Sequence, residues 1–213
     1  MKVYFISGLG ADERVFQFLD LPEVEKIYIK WIIPVNQESL ASYVNRLTAQ
    51  IDLTQQIVLV GISFGGIIAQ EISKIIDCQK VIIISSIKSR LEFSWQLSLV
   101  SSSKIYRLFP AKFLKWSNTL TADYYFSTSS TKESELLHQI IKDTDSHFLR
   151  WAIDRLMSWK NPDPQKNIIH IHGTSDRIFP TKPIKDYIKI PGGGHFMIVN
   201  KAAELSKIIM GNI

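Results

Sequence analysis

A serine enclosed by glycines follows the most hydrophobic strand-like segment of the chain. The stretch IVLVGISFGG, residues 57–66, has the spacing G-x-S-x-G at Gly61, Ser63 and Gly65, between an apolar run and a helix-like run. A sharp strand-to-helix turn needs glycine at the flanking positions, because neighbouring backbone must approach without side-chain clashes. Such a turn would expose the Ser63 hydroxyl near a helix N-terminus, where negative charge is favoured. We expect Ser63 to be a nucleophile; the alternative is a glycine-rich turn with an incidental serine.

A serine hydroxyl is a weak nucleophile at neutral pH and needs a base, which is most often a histidine oriented by a carboxylate. His195 lies in IPGGGHFMI, where three glycines form a turn directly after a short strand-like segment. Asp176 lies in HIHGTSDRIFP, just after another such segment, and therefore at the sheet edge where Ser63 is expected. The order Ser63, Asp176, His195 predicts an acyl-transfer triad. Glu92, several residues beyond the fourth strand-like segment, is the other candidate acid.

Acyl transfer also requires hydrogen-bond donors for the oxygen of the tetrahedral intermediate. The first expected donor is the backbone N–H of Phe64, directly after the nucleophile. The second should come from the loop after a neighbouring strand, and SGLGAD (7–12) offers the N–H of Leu9 between two glycines. A plain glycine turn is the alternative interpretation of this loop.

The elements that would position these residues alternate along the chain. Six segments read as strands because they are mostly β-branched and several are apolar throughout: 2–7, 26–33, 56–63, 80–87, 167–173 and 187–190. Helical patterns lie between them, over 40–51 with Asn36 or Ser39 as the cap, from Phe64 to about Asp77, and from about Asn200 to Met210. This alternation predicts an α/β fold with a doubly wound, mostly parallel sheet of about six strands.

The alternation stops between residues 88 and 160, where no strand pattern is visible. Pro110 can begin a helix, and Ser130 with Glu133 has the spacing of a capping box. We interpret 88–160 as a helical cap inserted after the fourth strand of a core formed by 1–87 and 161–213. The insertion is rich in aromatic residues. Most of them are expected to pack on the core, and some to line an apolar pocket over the serine.

Bulk composition excludes several classes of protein. The 213 residues carry 25 Lys and Arg against 20 Asp and Glu, a net charge of +5 that lacks the concentrated basic stripe of a nucleic-acid binder. No apolar run is long enough to span a bilayer, and MKVYFISGLGADER is too short in its apolar part for a signal peptide. With Cys78 as the only cysteine, we expect a cytoplasmic protein without disulfides or membrane partners. One local bias remains, since 88–115 holds six Lys or Arg and a single acid. Such a basic run is usually a solvent-exposed face of the protein. The alternative is that it attracts an anionic acyl group or a thioester carrier.

Together these motifs resemble the alpha/beta hydrolase superfamily, in a compact esterase-like form that begins at what is usually the third strand. GISFGG resembles the nucleophile elbow, HGTSDRIFP the acid loop, GGGHF the histidine loop and SGLGAD the oxyanion loop. The resemblance covers the core and fades across 88–160, a region that the family uses as a variable lid. One departure is Ser7, which stands where the oxyanion loop usually begins with histidine. The backbone N–H donor of Leu9 is unaffected by this change, but the support that a histidine ring would give to the loop is lost. We expect that Ser7 could hydrogen-bond in the pocket instead.

The resemblance implies a serine hydrolase that cleaves a carboxylic ester or thioester of a small, largely apolar substrate through an acyl-enzyme on Ser63; an amide or activated C–C bond stays open. Serine at this position argues against dehalogenase or epoxide-hydrolase chemistry, for which related proteins use aspartate. The alternative is a small-molecule receptor that keeps the fold and the triad without efficient turnover.

A second histidine motif leaves a metal site to consider. His170 and His172 form H-x-H on one strand face, but catalytic zinc normally has three protein ligands and no further Cys or His cluster accompanies this pair. We therefore expect no metal and no cofactor, and we expect His172 to pack or hydrogen-bond near the acid loop. The sequence makes no prediction of the oligomeric state.

Overall fold

A six-stranded sheet forms the centre of the protein. The computed structural model describes residues 1–165 and 167–213, without the side chains of Ala111, Lys112, Leu114 and Asn118. The strands are β1 Lys2–Ile6, β2 Glu25–Ile29, β3 Val58–Ile62, β4 Lys80–Ile84, β5 Ile168–Gly173 and β6 Ile188–Ile190. Their order is β2-β1-β3-β4-β5-β6, and every neighbouring pair is parallel. The predicted fold class is confirmed.

Helices follow the strands as crossover connections. They are α1 Leu40–Leu47, α2 Phe64–Ile72, α3 Trp95–Ser103, α4 Ala111–Phe126, α5 Thr131–Asp143, α6 Ser146–Ser158, α7 Met197–Asn200 and α8 Ala202–Met210. Ser39 caps α1, since its side chain accepts the N–H of Ser42 at 3.1 Å. None of the helices in the described part of the chain has the length and apolar character needed to cross a membrane.

Successive side chains of each strand are buried on opposite faces of the sheet. On one face Tyr4 and Leu59 pack with α1, α2 and α6, and on the other Phe5 and Val60 pack with α8. All four side chains are at most 1% exposed. Burying such a side chain contributes roughly 1.5–3 kcal/mol, so helices cover the sheet on both sides. This explains the strands that are apolar throughout.

Two strands end earlier than predicted, one at a contact with a distant side chain and one at a turn of its own backbone. The second strand stops at Ile29 because the side-chain amide of Gln50 pairs with the backbone N–H and C=O of Lys30, at 2.9 and 3.0 Å. The fourth strand stops at Ile84 because Ser85 has a φ of 47°, which turns the backbone away from the extended conformation. Helix α2 likewise ends at Ile72 rather than near Asp77.

In the described residues between β4 and β5, every element of regular secondary structure is a helix, as predicted. Pro110 directly precedes α4, and the Ser130 hydroxyl accepts the N–H of Glu133 at 3.3 Å at the start of α5. The Glu133 carboxylate in turn accepts the N–H of Ser129 at 2.8 Å. Helix α4 packs on α5 and α6, and α6 contacts α2 of the core. The insertion is thereby anchored to the sheet through α6.

The expectation that most aromatic residues of the insertion pack on the core is wrong for half of them. Phe93, Tyr106, Phe148, Trp151 and Trp159 are buried, but six rings are exposed: Trp95, Phe109, Phe113, Trp116, Tyr124 and Tyr125. Helix α4 contacts α5 and α6. Several of the exposed rings pack on each other, with centroids 4.9 Å apart for Phe109 and Phe113 and 5.7 Å apart for Phe113 and Trp116.

Candidate active site

The strand order places the candidate site where the direction of winding reverses. The chain moves from β1 outward to β2 and then returns to add β3 on the other side of β1. Ligands of open α/β sheets bind outside the carboxyl ends of the strands at such a switch point. The loop after β1 carries Leu9 and the turn after β3 carries Ser63, so both lie at this point.

Ser63 occupies a strained turn between β3 and α2. Its φ of 53° and ψ of −120° lie outside the regions that non-glycine residues normally adopt, at a cost on the order of 1–3 kcal/mol. Its N–H donates to the carbonyl of Ile84 at 2.9 Å, and its carbonyl accepts from Gly66 N at 3.0 Å and from the Ser86 hydroxyl at 2.7 Å. Hydrogen bonds from β4 and α2 therefore hold the serine in its strained conformation.

The flanking glycines let backbone segments touch. A Cβ on Gly61 would lie 2.3 Å from the carbonyl oxygen of Gly65. A Cβ on Gly65 would lie 2.2 Å from the carbonyl oxygens of both Ile6 and Ser7. The start of α2 thus packs directly against the end of β1, which brings Ser63 next to the loop that carries Leu9.

We expect Gly65→Ala to destabilise the protein by about 3 kcal/mol, because the new methyl group meets two backbone oxygens that cannot rotate away. Urea unfolding measures this free energy. Gly211→Ala is the matched control, since Gly211 has an ordinary helical conformation and a Cβ there would make only van der Waals contact, at 3.4 Å from its nearest neighbour. Equal stability of the two variants would contradict the steric explanation.

The structure brings Ser63, His195 and Asp176 together in one hydrogen-bonded chain. His195 Nε2 is 2.9 Å from Ser63 Oγ, and His195 Nδ1 is 2.8 Å from Asp176 Oδ2. The other carboxylate oxygen of Asp176 accepts the N–H groups of Ile178 and Phe179, both at 2.8 Å. An ionised carboxylate only accepts, so it places the imidazole proton on Nδ1 and leaves Nε2 free to accept from the serine hydroxyl.

Glu92, the other candidate acid, lies elsewhere. Its carboxylate accepts the backbone N–H of Lys88 at 2.6 Å and is 3.9 Å from the Lys88 ammonium. Burial raises the pKa of Glu92, although the bonded N–H and the ammonium act in the opposite direction. Asp176, and not Glu92, is the carboxylate hydrogen-bonded to His195.

The histidine loop is positioned by close backbone contacts. A Cβ on Gly173 would lie 2.2 Å from the carbonyl oxygen of Gly193, so the loops after β5 and β6 touch. A Cβ on Gly194 would lie 2.4 Å from Cβ of Ser127, at the end of α4. Phe196 N–H also donates to the carbonyl of Phe126 at 3.0 Å. Two of the glycines before His195 therefore permit contact with the acid loop and with the insertion.

The loop after β1 lies against the serine. A Cβ on Gly8 would be 3.4 Å from Cβ of Ser63, and Leu9 lines the same cavity as Ser63 and His195. The Ser7 hydroxyl donates to the carbonyl of Ala11 at 2.6 Å. Ser7 therefore closes the loop that carries Leu9 and does not hydrogen-bond in the pocket. It stabilises the backbone of the loop that carries Leu9.

Two supporting residues were not singled out from the sequence. The Ser86 hydroxyl binds the Ser63 carbonyl, and the Thr144 hydroxyl donates to the carbonyl of Gly10 at 2.7 Å. The signal for Ser86 was available, because two serines end the apolar run of β4. Thr144 carried no such signal, since it reaches the loop after β1 from a turn that follows α5.

A cavity of about 320 Å³ opens above the serine. The core contributes Leu9, Ile62, Ile178 and Phe179, and the insertion contributes Tyr106, Phe126, Ile141, Leu149, Ile153, Leu156 and Met157. Among the described residues that line the cavity, His195 is the one histidine, and there is no Asp, Glu, Lys or Arg. Its size is typical of a small-molecule site, and its wall suits an uncharged, apolar group.

The H-x-H pair is occupied by other contacts. His170 Nε2 lies 3.1 Å from His172 Nδ1, and His172 Nε2 lies 2.9 Å from the carbonyl oxygen of Phe179. His172 therefore hydrogen-bonds to the acid loop, as expected. Within the described residues, no group of three or more His, Cys, Asp and Glu is arranged to hold a metal ion.

Comparison with known proteins agrees with this geometry. The structure is similar to an esterase from Exiguobacterium antarcticum (TM-score 0.74, 15% identity, covering 99% of this chain and 91% of that one). It is also similar to a thermophilic esterase from Thermogutta terrifontis (TM-score 0.69, 15% identity, 99% and 88% covered). A bromoperoxidase from Bacillus anthracis shares the fold as well (TM-score 0.69, 18% identity, 99% and 91% covered). At these identities the likeness shows the fold alone.

A search of curated proteins gave no match to the chain. A family model described as "Alpha/beta hydrolase family" matches residues 7–208, a range that contains Ser63, Asp176 and His195. The chain belongs to the alpha/beta hydrolase family.

Proposed function

We propose that the protein is a serine hydrolase that cleaves a carboxylic ester or thioester of a small, largely apolar substrate. The observation that carries this proposal is the chain of contacts from Ser63 Oγ to His195 at 2.9 Å and from His195 to Asp176 at 2.8 Å. Family membership supports hydrolysis, and the apolar wall of the cavity above Ser63 supports an uncharged acyl group.

The geometry suits acyl transfer in two steps. Ser63 Oγ attacks the carbonyl carbon while His195 Nε2 takes the hydroxyl proton, and Asp176 stabilises the imidazolium that forms. When the tetrahedral intermediate collapses, the imidazolium gives its proton to the leaving oxygen or sulfur, and an acyl-enzyme remains on Ser63. Water then attacks the acyl group with His195 again as the base, which releases the carboxylic acid and restores the serine.

Negative charge on the carbonyl oxygen needs donors. We propose the backbone N–H groups of Leu9 and Phe64 as the oxyanion hole. Phe64 is the first residue of α2, so the helix dipole adds to its N–H. The loop that carries Leu9 lies against Ser63 and is held by the hydroxyls of Ser7 and Thr144. Fixed donors of this kind stabilise the transition state without having to reorganise.

We propose that residues 88–160 form a cap over the core of 1–87 and 161–213. A large part of the cavity wall comes from this segment, from Tyr106 through Met157. Its contacts with the histidine loop at Ser127 and Phe126 place it directly beside His195. The cap would thus shape the apolar space in which an acyl group binds.

Covalent labelling tests the proposed nucleophile. A fluorophosphonate probe should phosphonylate Ser63, since its phosphorus accepts the same attack as a carbonyl carbon and His195 can take the proton. Peptide mass mapping should find the added mass on the peptide that contains Ser63. A protein that binds small apolar esters but is neither labelled nor able to turn over a nitrophenyl ester would instead be a receptor.

A larger side chain in the cavity should shorten the preferred acyl group. Ile153 of α6 is half-buried and lines the wall, so Ile153→Trp should lower kcat/KM for an octanoyl nitrophenyl ester at least about tenfold relative to the acetyl ester, since each methylene in an apolar pocket is worth roughly 1–3 kcal/mol. Leu108→Trp is the control, because Leu108 is 80% exposed. An unchanged octanoyl-to-acetyl ratio in Ile153→Trp would place the acyl group elsewhere.

A further inference from the structure

Two histidines without a role in the proposed reaction lie buried behind its acid. His170 and His172 are alternate residues of β5, so their side chains lie on the same face of the sheet, and they are 2% and 0% exposed. Besides its contacts with His170 and with the Phe179 carbonyl, His172 Nε2 lies 3.4 Å from Asp176 Oδ2. The pair joins the middle of β5 to the acid loop, residues 174–180.

These contacts fix the position of each proton. A carbonyl oxygen only accepts, so His172 must carry a proton on Nε2, which donates to Phe179. A neutral His172 then has a bare Nδ1, and the proton between the two rings must belong to His170 Nε2. His170 Nδ1 is buried without a hydrogen-bond partner. Because the proton of this ring is on Nε2, the atom without a partner is an acceptor and not an N–H donor.

The surroundings of the pair keep both rings neutral. Burial lowers the pKa of His170 to about 3, and burial also lowers the pKa of His172, although the nearby Asp176 carboxylate acts in the opposite direction. The titratable or charged groups that face the pair from other parts of the described structure are Asp176, His195, Tyr187 and Lys88. Asp176 is the only carboxylate among them.

We propose that His172 is a positioning residue for Asp176 and that His170 fixes its tautomer. The proposal rests on the proposed function, because it assigns His172 to the acid of that site. The Nε2 proton of His172 donates to the Phe179 carbonyl and so holds the acid loop against β5. The same N–H group lies 3.4 Å from Asp176 Oδ2, the oxygen that faces His195, so its dipole acts on the carboxylate.

Neutrality of His172 matters for this role. A protonated ring 3.4 Å from Asp176 would compete with the His195 imidazolium for the same carboxylate oxygen. A neutral ring holds the acid loop through the Phe179 carbonyl and leaves the negative charge of Asp176 available to His195. His172 Nδ1 accepts the proton of His170 Nε2 and so cannot carry a proton itself. This excludes the other neutral tautomer of His172, in which Nε2 would face Phe179 and Asp176 without a proton.

Two substitutions at one position separate the donor from the packing. His172→Leu removes the donor, whereas His172→Gln keeps an N–H group about as far along the side chain. In His172→Leu, we expect kcat to fall about 10- to 100-fold with little change in KM, the range known for residues that orient metal-binding side chains through hydrogen bonds. The acidic limb of the pH profile of kcat/KM, which reports protonation of the catalytic base, should also shift. His172→Gln should restore most of kcat and the position of the limb.

Ile171→Val is the matched control, since Ile171 is equally buried on the opposite face of the same strand. It should lower stability without moving the acidic limb. Wild-type kcat and pH profile in His172→Leu would overturn the proposal, as would a His172→Gln enzyme that matches His172→Leu in rate and profile.

The wild-type protein supplies a measurement that needs no variant and no substrate. In NMR spectra of protein with ¹⁵N-labelled histidine, both rings should be neutral with the proton on Nε2 at about pH 7. A proton on Nδ1 of His172, or a charged His172 ring at that pH, would overturn the proposal. Activity that survives in Ser63→Ala would reject the proposed function alone, because the tautomers are read without turnover.

Discussion

Ser63→Ala is expected to lower kcat for a short nitrophenyl ester by about 10⁶, the loss that follows removal of the nucleophile from a triad hydrolase. The change deletes one oxygen, the atom that lies 2.9 Å from His195 Nε2. It leaves the Ser63 N–H and C=O, and therefore their bonds to Ile84, Gly66 and Ser86, in place. Because the apolar cavity is also unchanged, the variant should still bind a non-hydrolysed substrate analogue with nearly wild-type Kd.

Ser86→Ala is the matched control for this prediction. Ser86 supports the same turn through one hydrogen bond to the Ser63 carbonyl, but its hydroxyl is not placed to attack a substrate. That variant should be slower, because the turn is less firmly held, yet it should still react with a fluorophosphonate. If Ser63→Ala retains turnover while Ser86→Ala loses it, the proposed nucleophile is the wrong serine.

The sequence carried most of the information about the core. Runs of β-branched apolar residues predict the strands. The turn at Ser63 is recognisable in the sequence because backbone contact requires glycine at positions 61 and 65. Parallel strands end at the same edge, so polar residues after three of them could be expected to meet. The contacts among Ser63, Asp176 and His195 follow from that geometry.

What the sequence could not give depends on contacts between distant segments. The end of the second strand is decided by the side chain of Gln50, twenty residues beyond Lys30. The Thr144 hydroxyl likewise donates to the carbonyl of Gly10, 134 residues away in the chain.

The insertion shows the same limit. Aromatic content predicts burial on average, but which rings face the core depends on which helices of the insertion contact it, as α6 contacts α2. Trp151 packs on Tyr43 of the core with ring centroids 4.1 Å apart, whereas Trp95 is 73% exposed. Their residue type is identical, so only tertiary packing separates them.

Asp176→Asn is expected to lower kcat by about 10⁴, the loss seen when a triad acid is replaced by its amide. The structure gives a specific reason. Oδ1 of Asp176 accepts two backbone N–H groups, from Ile178 and Phe179, so an asparagine should keep its oxygen there. Its NH₂ group then replaces Oδ2, which lies 2.8 Å from His195 Nδ1. An NH₂ group donates, so His195 would have to accept at Nδ1 and carry its proton on Nε2, where it can no longer accept the proton of Ser63.

Glu92→Gln tests the same chemistry at the other candidate acid. Glu92 accepts the N–H of Lys88, and a glutamine oxygen can accept it equally well, so this variant should keep nearly wild-type kcat. Both variants should remain folded, since the loop hydrogen bonds to Oδ1 survive in Asp176→Asn. Kinetics on the two purified proteins, with circular dichroism to verify folding, decide the assignment. An inactive Glu92→Gln beside an active Asp176→Asn would move the acid to Glu92 and leave Ser63 and His195 in their proposed roles, because their 2.9 Å contact does not depend on which carboxylate orients the ring.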